Sequence, residues 1–170
     1  MKEIIKRAYN EICYMTEMHT YILENLKNEV RSHGLRSGEI IIELDQIDPG
    51  NNPSIENKID AFFRHNNIKT EVDNYIATER DLKTTLNSII YGLSVKLEYT
   101  KIDTVFSDTQ KNKIAYTFIG LFNNPKFYSI NSRVYRENLD LWDFWEFGGA
   151  ILIDNEMIGI IWINDLYDKF

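Results

Sequence analysis

GGAILIDNEMIGIIWI, residues 148–163, holds two isoleucine-rich runs of strand length on either side of one polar triplet. Residues 150–153 and 157–163 read as strands, and Asp154-Asn155-Glu156 supplies the turn between them, so the stretch predicts a β-hairpin. Gly148-Gly149 precedes a strand and not a helix, so no helix N-terminus is there to receive a phosphate. The pair instead predicts a close backbone passage beneath Trp145 or Phe147, or a bulge at a sheet edge.

Upstream of the hairpin the two-residue period persists. Residues 127–135 follow the turn Asn123-Asn124-Pro125 and read as a strand. IAYTFIGLF at 114–122 is apolar on both faces, as a central strand is, and SDTQKNK at 107–113 reads as a polar hairpin loop before it. Val95, Leu97 and Tyr99 alternate with Lys96, Glu98 and Thr100, the pattern of a half-buried antiparallel strand.

Before residue 93 the period becomes helical. Ile5, Ala8, Ile12, Met15, His19, Ile22 and Leu26 recur at steps of three and four, which predicts a helix over 2–32, with Gly34 just beyond its end. EIIIEL at 39–44 is a short strand, and Asn52 or Ser54 caps a second helix to about residue 64, with Ile55, Ile59, Phe62 and Phe63 on one face. Residues 68–76 fit strand and helix alike and are read as strand. Thr78, with Asp81 three residues on, reads as the cap of a third helix whose buried face is Leu82, Leu86, Ile89 and Ile90. Helices first and strands last is the α+β pattern. One domain over 1–170 is expected, helix-rich over 1–92 and strand-rich over 93–170. Its N-terminal helices, about three, pack on one face of a C-terminal antiparallel sheet of about five strands.

Composition narrows the function. A chain of 170 residues that is 44% hydrophobic and 26% charged is an ordinary globular domain. Its net charge of −7 argues against a general nucleic-acid or anionic-membrane binder, which needs a basic face. The single Cys13, the charge-interrupted N-terminus and the lack of a long apolar run give the expectation of a cytoplasmic protein.

The charge is unevenly placed. Residues 137–170 carry eight acids (Glu137, Asp140, Asp143, Glu146, Asp154, Glu156, Asp165 and Asp168) against the one base Lys169, which matches the excess of the whole chain. All three tryptophans, Trp142, Trp145 and Trp162, lie in the same stretch with Tyr167. Crowded like charges cost stability, and a basic partner relieves that cost. The bland alternative is that the aromatics plug the sheet while the acids solvate its rim.

Other chemistry is thinner. Glu43, Asp45 and Asp48 could form an acid cluster at a strand end, and paired carboxylates there suit Mg²⁺. The same acids also serve as a plain polar exit from an apolar strand. Cys13, Glu17 and His19 lie within two turns of one helix, where a buried thiol and a core histidine are the ordinary reading. His33 and His65 suit helix C-termini. No glycine-rich phosphate loop with lysine, serine elbow or paired-cysteine motif occurs, and no cofactor is expected.

The leading expectation is a small acidic inhibitor, of the immunity-protein or antitoxin kind, that blocks a basic, nuclease-like protein partner. Asp140, Asp143, Glu146, Asp154 and Glu156 would stand in for substrate phosphates, with Trp142, Trp145 and Tyr167 as anchors. Two alternatives remain open. One is a metal-dependent nuclease or phosphohydrolase centred on Glu43, Asp45 and Asp48, and the other is a structural protein that forms a homodimer through helix 2–32.

Overall fold

The computed structural model describes residues 17–31, 40–47, 54–68, 75–94, 106–132 and 149–163. Among them are four helices: α1 (residues 17–31), α2 (Ile55–His65), α3 (Leu82–Gly92) and α4 (Asp108–Ile119). The five strands are β1 (Ile40–Gln46), β2 (Tyr75–Arg80), β3 (Lys126–Ser132), β4 (Gly149–Ile153) and β5 (Met157–Ile163). They form one sheet in the order β1-β5-β4-β3-β2, and every neighbouring pair is antiparallel. The α+β class and the five-stranded antiparallel sheet expected from the sequence are both present.

The hairpin at 148–163 becomes the middle of the sheet. Ile153 pairs with Ile158 and Gly149 with Trp162. Successive side chains of a strand point to opposite faces, so two strands apolar at nearly every position need cover on both sides. Ala150, Leu152, Met157 and Ile161 enter a core built with Leu23, Leu26 and Val30 of α1, Ile89 of α3, and Ile114 and Phe118 of α4. Ile151, Ile153, Ile158, Ile160 and Trp162 enter a second core built with Ile59, Phe62 and Phe63 of α2. Helices α1, α3 and α4 therefore share one face, and α2 covers the other.

Local capping fixes the helix starts. Ser54 Oγ accepts the Asn57 amide at 3.3 Å and opens α2, as its sequence suggests. For α3 the cap is Asp81 and not Thr78, which lies within β2. Asp81 Oδ1 accepts the Thr84 amide at 2.7 Å, and that bond, with the Thr84 hydroxyl, holds its carboxyl below the usual carboxylate range. Of the strand expected over 68–76, residues 69–74 lie outside the described residues; the described strand β2 runs over Tyr75–Arg80, and the Ile68 amide bonds Phe63 O at the end of α2.

The main departure is α4. Residues 107–113 are not a hairpin loop, and 114–122 are not a strand. Ser107 and Gln110 form a reciprocal capping box, with Ser107 N to Gln110 Oε1 at 2.9 Å and Gln110 N to Ser107 Oγ at 3.3 Å. Ile114, Ala115 and Phe118 are buried at helical spacing while Tyr116 is exposed. Lys111 lies buried on the same helix, its ammonium held by Asp108 at 2.7 Å and Ser94 Oγ at 3.0 Å. The expected strand at 95–100 lies outside the described residues.

Candidate functional site

The sheet has two unlike ends. Ile40 pairs with Ile163, Gly149 with Trp162 and Tyr75 with Ser132, so these residues gather at one end, here called the far end. Gln46 pairs with Met157, Lys126 with Ile153 and Arg80 with Phe127 at the turn end, which carries Asp154-Asn155-Glu156. Gly149 and Ile163 lie on the two adjacent central strands. The chain on either side of the hairpin, 137–148 before it and 164–170 after it, is therefore joined to the far end.

That topology divides the acidic residues singled out from the sequence. Asp154 and Glu156 sit at the turn end. Asp140, Trp142, Asp143, Trp145, Glu146 and Tyr167 lie outside the described residues, in the two segments joined to the far end. Trp162, on β5, is buried against α2.

Asp154 has a structural task. Its Oδ1 accepts the amides of Glu156 at 2.8 Å and Met157 at 2.7 Å, and its Oδ2 accepts the Asn123 amide at 2.7 Å. One carboxylate thus closes the β4–β5 turn and ties it to the turn before β3, where Asn124 adopts φ 54°. Replacing Asp154 by alanine should cost about 1–3 kcal/mol in urea denaturation, because three amides lose a charged acceptor. Glu156→Ala, on an exposed turn residue, should stay within about 0.5 kcal/mol of wild type.

The acid cluster on β1 is engaged as well. Glu43 Oε2 accepts the Lys27 ammonium of α1 at 2.9 Å. Asp45 Oδ2 accepts Asn66 Nδ2 at 2.8 Å, and His65 Nε2 stands 3.9 Å from Oδ1. Asp48 lies outside the described residues, as do Cys13 and His33. Among the described residues no three His, Cys, Asp or Glu side chains are grouped to hold a metal ion. The apolar stripe of α1, Leu23, Leu26 and Val30, is buried in the chain's own core. Tyr128 is the one clearly shifted group that is substantially buried among the described residues. Burial, then the charge of Glu79, pushes its hydroxyl up, which leaves it neutral and unsuited to act as a base near neutral pH.

The sequence reading missed a cleft of about 670 Å³ at the turn end, between α1, the last residues of β1 and α2. His19, Asp45, Lys58 and His65 contribute polar groups to it, and Leu23, Leu44, Phe62 and Met157 contribute apolar surface. Lys58, Ala61 and His65 share one side of α2 at steps of three and four, a signal present in the sequence but indistinguishable there from a solvated helix face. No helix among the described residues is long and apolar enough to cross a membrane. Comparison with family models, with curated proteins and with solved structures gives no match, so function must be argued from this chain's own chemistry.

Proposed function

We propose that this chain is a cytoplasmic, non-catalytic acidic binding protein that blocks a basic protein partner, in the manner of an immunity protein or antitoxin acting on a nuclease-like toxin. The observation that carries the reading is the tethering of charge. Six of the eight acids in 137–170 belong to the two segments joined to the far ends of β4 and β5, which are neighbours in the sheet. A cationic cleft evolved for phosphates is met by carboxylates, which steer association, and by large aromatics, which supply contact area. Asp140, Asp143 and Glu146 are the steering acids, and Trp142, Trp145 and Tyr167 the anchors. Asp154, with its carboxylate committed to the turn, is withdrawn from that set, and Glu156 sits at the opposite end of the sheet.

The test is capture from the source cell's lysate at low and high salt, followed by association kinetics with the purified partner. The expected partner is basic, loses its own activity in the complex, and associates about tenfold more slowly with Asp140→Asn/Asp143→Asn. Glu156→Gln should associate as wild type does. Equal capture by wild type and the double variant, or no capture at all, would overturn the reading.

A further inference from the structure

We propose that the Lys27–Glu43 ion pair is a clasp across the open edge of β1, and that it keeps two copies of this chain from joining strand to strand. This inference does not rest on the inhibitor reading, which uses neither residue.

The geometry follows from the faces of the sheet. Glu43 pairs with Ile160, a residue of the core under α2, so the Glu43 side chain leaves β1 toward the α2 face. Its neighbour Ile42 pairs with Ile161 and enters the opposite core, with Leu23 and Leu26 of α1. Lys27 belongs to α1, yet its Nζ lies 2.9 Å from Glu43 Oε2. Helix and carboxylate start on opposite faces, and β1 ends the sheet order, so the bond must pass around the outside of β1. The Lys27 side chain is only 16% exposed there, and Glu24 Oε1 of its own helix stands 3.6 Å away.

What the clasp crosses can be read from the pairing. The Ile47 amide bonds Glu156 O at 2.7 Å, and an antiparallel ladder alternates, so Ile41, Glu43 and Asp45 bond β5 while Ile42 and Leu44 turn their amides and carbonyls outward. IIIELDQ is a strong strand former, and among the described residues no strand lies beyond it. Such an edge invites pairing unless charge covers it. A second copy of β1 fits it well. The antiparallel register that overlaps all seven residues sets Ile42 opposite Leu44, where their outward groups can bond, and sets Glu43 opposite its own counterpart. Like charges facing each other oppose that register, and Lys27 lies where the incoming strand would run. Both halves of the ion pair therefore act against the same event.

Sedimentation equilibrium of the full chain tests this, with hydrogen exchange to locate any contact. Lys27→Met/Glu43→Val, which removes both charges and keeps the bulk, is expected to double the molar mass at concentrations where wild type is a monomer. The dimer should slow exchange at the Ile42 and Leu44 amides. Lys27→Glu/Glu43→Lys, which restores the pair with its signs exchanged, should stay monomeric. In monomeric wild type, Ile42 and Leu44 should exchange faster than Ile41 and Glu43, a measurement that needs no variant to fold. A monomeric neutral variant, a dimeric swapped variant, or protection that appears elsewhere would overturn the proposal. So would equally slow exchange at all four amides in wild type, since the edge would then already be covered.

Discussion

Phe118→Ala is expected to destabilise the protein by about 3–5 kcal/mol, while Tyr116→Ala, two residues earlier, stays within about 0.5 kcal/mol of wild type. Phe118 is fully buried, and its ring meets that of Phe122 edge-on at 5.6 Å between centroids. It packs where α1, α3 and α4 converge on the sheet, with Leu26, Ile89 and Leu152 in the same core. Removing the ring loses its transfer free energy and leaves a cavity that three helices and a sheet cannot easily close. Tyr116 is 57% exposed, so its ring has little burial to lose. The contrast between the two also separates helix from strand. In a strand, residues 116 and 118 share a face and should respond alike, whereas in a helix they point roughly 200° apart. Urea denaturation with a common m-value measures both. Equal losses at the two positions would return 114–122 to the strand that its composition suggests.

That composition explains where the sequence misleads. Ile114, Tyr116, Thr117, Phe118 and Ile119 are β-branched or aromatic, and their intrinsic preference is for a strand. Tertiary packing overrides it, because Ile114, Ala115 and Phe118 meet one core at helical spacing. The deciding local signal was present in Ser107 and Gln110, a capping box hidden inside a run that looks like a polar turn. Helix α2 was legible because Ser54 and the 55-59-62-63 stripe agree with each other. The two-sided cover of the sheet was also legible in principle, since residues 150–153 have no polar face to give to water. The partners of Glu43 and Asp45 were not legible. Lys27 and Asn66 lie 16 and 21 residues away along the chain, and only the folded topology brings them close. The same holds for the cleft, whose walls come from three separate elements and the start of β5.

Gly149→Ala carries the second large expected effect, a loss of about 3 kcal/mol or more, with a consequence that Asp140→Asn/Asp143→Asn should not share. A β-carbon at Gly149 would fall 2.1 Å from the Ile161 carbonyl oxygen and 2.5 Å from Trp162 Cα. Both are backbone atoms in a paired central strand, so neither can yield without moving β5 itself. The first residue of β4 must instead leave its pairing with Trp162. Gly159 offers a milder comparison. A β-carbon there would meet Glu43 O, Leu44 Cδ1 and Phe122 Cζ, each at 2.9 Å, and two of those are ends of side chains that can turn away. The close passage expected at Gly148-Gly149 is thus real at Gly149, but the chain it passes is β5. Because Gly149 is where residues 137–148 join the sheet, loosening it should reduce partner binding together with stability if the inhibitor reading holds. The double charge variant should lower the association rate and leave the unfolding midpoint near that of wild type. A Gly149→Ala protein with an unchanged midpoint would mean that β4 does not run against β5 in this register, and the shared far-end anchor of the two acidic segments would go with it.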